Sequence, residues 1–295
     1  MKIGLIDVDG HNFPNLALMK ISAWHKTKGD EVEWCFPMFH YDIVYQSKVF
    51  DNTYSPDISW IPNADKVIKG GTGYGLDNTL PYEIEHIYPD YSLYPELTKD
   101  TAYGFLTRGC PRACKFCIVA EKEGRKSVKV ADLSEFWRGQ KNIVLLDPNL
   151  LACKDRMELL DQLIESKAVV DFSQGLDIRL TNEEIAKKLM QIKVKMLHFA
   201  WDNANQDLTP YFKDFNKYYT KGTFREKVVY TLVNFNSTME QNLYRVYTLR
   251  ELGFSPYIMI YNKPNASREI KDLQRWVNNR FIFRSCNKFE DYRRR

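Results

Sequence analysis

Apolar residues in this chain gather in short runs separated by polar turns. Lys2-Ile3-Gly4-Leu5-Ile6-Asp7-Val8 is apolar enough for a buried parallel strand. Leu16, Met19 and Trp24 then recur at near-helical spacing between Asn15 and Lys28, and Gly29 stops the pattern. Glu31-Val32-Glu33-Trp34 follows as a second strand. Two further apolar stretches, Ile43-Val44-Tyr45 running on to Val49-Phe50 and Lys66-Val67-Ile68 ending in Gly70-Gly71-Thr72-Gly73, complete the pattern. This βαβ opening predicts an α/β fold that begins with a small Rossmann- or flavodoxin-like parallel sheet over residues 1–75.

From Leu76 to Asp100 the periodicity fades, and Pro81, Pro89 and Pro95 stand among Tyr82, Tyr88, Tyr91 and Tyr94. Proline withholds backbone donors while the rings seek apolar contact, which predicts a packed connector over residues 76–100. Beyond it strand and helix patterns alternate. Candidate strands are Ala102 to Thr107, Asn142 to Leu146, Ala168 to Phe172, Val194 to Ala200, Val228 to Val233 and Pro256 to Ile260. Thr181 with Glu184, and Ser237 with Glu240, read as capping boxes at helix starts. Six strand and helix units over residues 101–295 predict a parallel sheet with right-handed crossovers, curling into a (βα)6 partial TIM barrel. The aromatic, basic stretch from Trp276 to Tyr292 predicts a last helix and strand closing its open flank.

At 295 residues the chain is long enough for about two domains, and 44% hydrophobic with 27% charged residues is the balance of a globular protein. No apolar run approaches the ~20 residues that span a bilayer. The opening Met1-Lys2-Ile3-Gly4-Leu5-Ile6-Asp7 meets acidic residues too early for a secretory signal, which predicts a cytoplasmic protein away from membranes. The 42 basic and 38 acidic residues leave a net charge of +4, which neither demands nor excludes a nucleic-acid partner. Arg293-Arg294-Arg295 reads as a solvated tail.

The cysteines sharpen the picture. Three of the six lie in Cys110-Pro-Arg-Ala-Cys114-Lys-Phe-Cys117, and Cys35, Cys153 and Cys286 stand alone as small hydrophobes, with Cys153 near a barrel rim. Three sulfurs in one short loop can converge on a single inorganic centre. With no fourth cysteine nearby, one coordination position stays open for a substrate or cofactor. A three-cysteine zinc knot or a surface loop with incidental cysteines is the alternative reading.

With Phe116 directly before the last cysteine, the triplet resembles the signature of the radical S-adenosylmethionine enzymes. That resemblance implies that Cys110, Cys114 and Cys117 hold a [4Fe-4S] cluster whose fourth iron is chelated by S-adenosylmethionine. It also implies that an electron from a flavodoxin or ferredoxin cleaves the sulfonium to a 5′-deoxyadenosyl radical, which takes hydrogen from a substrate. The family's fold is a six-unit partial barrel with its cluster loop directly after the first strand, where the loop falls here.

The same resemblance points to residues at the strand ends. Asp147 and Asn149 stand where many members carry Gly-Gly-Glu, whose backbone oxygens hold the methionyl ammonium. Gln174 and Asp177 are implied partners of ribose hydroxyls or of substrate, and Arg179 of the methionyl carboxylate, for which a planar guanidinium is suited. An internal Asp177 and Arg179 pair steadying a helix approach competes with that reading. Phe116 is implied to shield the cluster or touch adenine, and Lys115 and Arg112 to offset its negative charge. Asp202, Asn234 and Asn236 are secondary candidates, with turn and cap chemistry as their plainer role.

Asp9-Gly10-His11, Ser47-Lys48-Val49 and Gly70-Gly71 partly resemble the motifs of the family's cobalamin-binding domains, with Pro14 and Val49 departing from them. Cobalamin ligated by His11 is therefore weighed against a domain that keeps the fold without the cofactor, and the second reading is preferred. The absence of a further cysteine group argues against an auxiliary cluster and against a methylthiotransferase. The rivals are a cobalamin-dependent methyltransferase on the same barrel and a non-catalytic zinc or iron-sulfur nucleic-acid-binding module.

Overall fold

Twelve strands and ten α-helices follow the alternation of the sequence in a computed structural model that describes residues 1–10, 12–51 and 53–292. The expected roles of His11 and of Arg293-Arg294-Arg295 fall outside the described residues. The first unit runs β1 (Lys2–Asp7), α1 (Leu16–Thr27), β2 (Glu31–Trp34), β3 (Tyr41–Ser47) and β4 (Ala64–Gly70). These form a four-stranded parallel sheet in the order β2-β1-β3-β4. Asn15 caps α1 by accepting the Leu18 N–H at 3.2 Å, and Leu18 and Ile21 pack on Ile3 and Leu5 of β1. The apolar run of β1 thus ends up buried, as a central parallel strand requires.

The segment between the units contains the single turns α2 (Tyr82–Glu85) and α3 (Pro95–Thr98). Its tyrosines tie the units together. Tyr94 donates its hydroxyl to the Asp7 carboxylate at the end of β1, and Tyr91 donates its own to the Phe136 carbonyl at 2.7 Å. Glu85 accepts from both Lys20 of α1 and Arg108 beyond the next strand.

The second unit opens with β5 (Thr101–Gly104). The run expected to continue to Thr107 breaks after Gly104, and Thr107–Arg108 forms β6, paired antiparallel with β7 (Val128–Lys129) around the turn α4 (Val119–Lys122). Four strands then alternate with helices: β8 (Asn142–Leu145), α5 (Arg156–Ser166), β9 (Val169–Leu176), α6 (Glu183–Gln191), β10 (Lys193–Ala200), α7 (Thr209–Tyr218), β11 (Lys227–Val233) and α8 (Met239–Glu251). β12 (Ser255–Ile260), α9 (Arg268–Asn278) and α10 (Arg280–Ser285) finish the chain. The second sheet is parallel throughout, with six strands in the order β12-β11-β10-β9-β8-β5. Ile143, Leu145, Val170, Phe172, Leu197, Phe199 and Val229 bury one face of it against α5, α6 and α7.

Several expectations shift. The helix caps are Asn182, which accepts the Ile185 N–H, and Thr238, which forms the capping box with Gln241. Each lies one residue beyond the expected Thr181 or Ser237, because the helix begins where its apolar residues first face the sheet. Trp276 to Tyr292 holds no strand among the described residues. Instead Trp276, Val277 and Phe283 pack with Ile258 and Val246, extending the helical layer over β11 and β12. Among the described residues no helix is long and apolar enough to cross a membrane.

Candidate iron-sulfur site

The cysteine loop leaves the sheet directly after β5 and β6 and is cinched at its base. Glu123 accepts from Arg108 at 2.9 Å and from the Gly109 N–H at 3.2 Å, while the Cys110 N–H donates to the Gly124 carbonyl at 3.1 Å. Gly109 sits at φ +84, and a Cβ there would lie 2.1 Å from the Lys126 carbonyl oxygen, so only glycine lets the two limbs of the loop approach. Ala113, between the first two cysteines, also takes a left-handed φ of +45, and the Cys117 N–H closes a turn onto the Cys114 carbonyl at 2.9 Å. A loop built this way keeps its shape through backbone bonds and one carboxylate.

Cys110 and Cys114 are half-buried and Cys117 is exposed. Burial pushes the Cys114 thiol above its ordinary pKa, and the charges of Asp202, Cys117 and Cys110 push it further. Cys117 is raised in the same way, first by burial and then by Cys110, Asp202 and Glu123. Among the described residues no three His, Cys, Asp or Glu side chains are drawn together closely enough to hold a single metal ion.

The ends of the neighbouring strands supply polar groups. Asp147, after β8, is buried and accepts from Thr107 Oγ1 at 2.7 Å and from the backbone of Leu106 and Thr107, so it fastens the start of the cysteine loop to β8. Burial outweighs these donors and lifts its pKa to about 6. Asn149 is buried beside the first cysteine. Its Nδ2 stands 3.5 Å from Cys110 Sγ, whereas its Oδ1 is sealed from solvent with no hydrogen-bond partner. A buried carbonyl oxygen without a donor costs free energy unless another group fills the gap.

Beyond β9, Asp177 accepts from Arg179 Nε at 2.7 Å and from Arg112 of the cysteine loop. Burial opposes its ionisation, but the two guanidinium groups prevail and hold it below the ordinary carboxylate range. Arg179 also reaches Gln206 at 3.1 Å. Gln174 is exposed on an irregular part of β9. Phe116 meets Phe235, after β11, edge to face at 5.5 Å. Asp202, after β10, accepts the Leu232 N–H at 3.2 Å, and burial raises its pKa to about 6. Asn234 and Asn236 both hold left-handed turns, and Asn234 donates to the Tyr261 carbonyl, which is turn chemistry.

The expected residues thus divide. Phe116, Asn149, Asp177 and Arg179 stand with the cysteines, with Asp202 close by, while Asp147 is spent inside the scaffold. Cys153, on the connection between β8 and α5, is wholly buried in the main core. Glu123 and the buried Arg245 carry no sequence signature, though both organise the site. Arg245 donates to the carbonyls of Trp201 at 2.6 Å and Leu232 at 3.0 Å, pinning the ends of β10 and β11 that frame Asp202.

At the corresponding end of the first sheet, Asp9 accepts the N–H groups of Val49 and Phe50, and Ser47 accepts from Asn15 at 2.8 Å. Gly71 and Gly73 press against the Lys48 and Phe50 carbonyls. Thr72 accepts from Lys122 of α4, joining this glycine loop to the cysteine loop. No protein-family model matches the chain, and no curated protein matches it.

Proposed function

We propose that the chain is a radical S-adenosylmethionine enzyme, with its six-stranded sheet curled as a partial barrel around the reaction space. The observation that carries this reading is Asn149, whose amide meets Cys110 while its buried Oδ1 lacks a donor. A methionyl ammonium placed over the cluster is the donor that would satisfy it. Three thiols on one short loop, not drawn together around a single ion, support the same fit, because a four-iron cube spreads its ligands wider than a single ion does.

In this reading Cys110, Cys114 and Cys117 hold the [4Fe-4S] cluster. When bound, cluster and S-adenosylmethionine together supply one electron and a carbon radical that takes hydrogen from a substrate. The chain supplies placement. Asn149 would orient the ammonium, and Arg179 would offer Nη2 to the carboxylate while its Nε stays with Asp177 and its Nη1 with Gln206. Phe116 and Phe235 shut water from one side. Reduced flavodoxin or ferredoxin is the electron source, and a reducing cytoplasm suits six unpaired cysteines. The first sheet's strand ends are closed on one another by Asp9, Ser47 and the glycine loop, so the reading is framed without cobalamin.

Anaerobic reconstitution with iron and sulfide tests this. Dithionite-reduced protein is expected to bind about four irons and to release 5′-deoxyadenosine from S-adenosylmethionine, and Cys114→Ala to lose both. Stoichiometric zinc binding without nucleoside release would instead favour a binding module, and corrin retained through gel filtration would favour the methyltransferase.

A further inference from the structure

Strand alternation divides the six-stranded sheet into a helix-covered face and a second face with its own chemistry. Tyr103, Val144 and Asp171 lie in direct register across β5, β8 and β9, and Tyr230 pairs with Tyr257 across β11 and β12. His198 of β10 joins the two halves. Its Nδ1 lies 3.7 Å from Asp171 Oδ1, and its ring stacks on Tyr230 with centroids 5.1 Å apart and planes 6° from parallel. One row, polar or aromatic at every position but Val144, therefore crosses the whole sheet.

The tautomer of His198 is set by its surroundings. Nδ1 stands 3.1 Å from the Phe172 carbonyl oxygen, which can only accept, so Nδ1 carries the proton and Nε2 presents its lone pair. Nε2 has no hydrogen-bond partner among the described residues. Burial lowers the imidazole pKa from its ordinary value against the opposing pull of Asp171, and Lys195 lowers it further, which favours the neutral ring. Directly opposite, β9 slips register between Phe172 and Leu176 and turns through Gly175 at φ +104, beside the His198 carbonyl. Such bulges re-aim a strand next to working sites. At the sheet edge, Tyr257 remains 42% exposed although it lies in a strand, so the aromatic row is open at that end.

We propose that this row binds a planar heterocycle bearing a ring N–H, the chemistry of a uracil or guanine base. The ring N–H donates to His198 Nε2, and the ring lies along the Tyr230 and Tyr257 surface, where flat conjugated groups gain most from stacking. A fixed acceptor rejects rings that lack the donor, since pairing it with nothing costs free energy. The Phe172 carbonyl holds the imidazole, and Asp171 Oδ1 faces it without a hydrogen bond. The assignment stands on the sheet alone and does not rest on the iron-sulfur reading.

The test uses the 295-residue chain labelled with 15N-histidine, without added iron, titrated with uridine and with guanosine. The His198 Nε2 resonance is assigned by its loss in His198→Phe. At least one nucleoside is expected to move that resonance and to bind about tenfold tighter than its N-methylated form, 3-methyluridine or 1-methylguanosine. His198→Phe should erase that difference, and Tyr257→Ala, at a half-exposed position that leaves the core intact, should weaken binding about fivefold. Oligouridylate binding tighter than uridine would assign the base to RNA, and equal binding to a free nucleoside. The proposal is overturned if neither nucleoside moves the resonance up to its solubility limit, or if the methylated forms bind as well as the parents.

Discussion

Arg112, inside the cysteine loop, and Asp177, at the end of β9, form an ion pair between residues 65 positions apart in sequence. The carboxylate side chain is 3% exposed, whereas Arg112 and Arg179, which share it, are 35% and 23% exposed. The pair thus anchors the loop at its outer end, as Glu123 does at its base. Asp177→Asn leaves two guanidinium groups facing no charge. After allowance for solvent screening at the arginines, a loss of about 2 kcal/mol is expected, read as a lower urea midpoint at constant m. The variant should also release reconstituted iron to a chelator faster than the parent.

Two carboxyls set a pH dependence of opposite sign to that of Asp177. Burial lifts Asp147 and Asp202 from the ordinary 3.8 to about 6, so the folded chain holds more protons than the unfolded chain between those values. Stability is therefore present in full below about pH 4 and falls as pH rises to about 6. Asp57, held down at about 2, and Asp177 act below that window, where acid removes their contribution. Urea midpoints at pH 4.5 and pH 7 should differ less in Asp202→Asn than in the parent, by about 2 kcal/mol when converted to free energy.

Arg245 is almost wholly buried, and its donors serve the Trp201 and Leu232 carbonyls and Asn242 Oδ1. Arg245→Met keeps the stem and abandons three acceptors. A loss of about 3 kcal/mol is expected by urea unfolding. If the folded variant matches the parent, the clamp on β10 and β11 has no energetic weight.

Neighbouring glycines of the first sheet should respond differently. A Cβ at Gly71, with φ +92, would stand 2.3 Å from the Lys48 carbonyl oxygen, whereas one at Gly70 meets nothing within 4 Å. Gly71→Ala is expected to cost about 2 kcal/mol or more, and Gly70→Ala to stay within about 0.5 kcal/mol of the parent. Thermal unfolding of the pair separates crowding from a general loss of glycine freedom.

The sheets were largely legible because parallel strands buried on both sides read as apolar runs, as at Ile3 to Ile6 and Val228 to Val233. The break after Gly104 was not, since Phe105-Leu106 is as apolar as the strand before it and only the pull of Asp147 on Leu106 and Thr107 turns the chain. Cap positions slipped by one residue where two candidates stood side by side, Thr181 with Asn182 and Ser237 with Thr238. The cysteine loop stood out by spacing alone. Glu123 and Arg245 did not, because their importance comes from partners far along the chain. Nor did the row through His198: its members sit in six separate strands, and only the register brings them together.

The contact between Thr72 and Lys122 gives the amino-terminal sheet a stake in the cysteine loop. With Tyr94 bonded to Asp7 and Glu85 bridging Lys20 to Arg108, it forms a three-point harness between the halves of the molecule. Trimming the first 75 residues to isolate the second unit would cut every strap. The shortened protein would then report on an unbraced loop rather than on the one nature assembled.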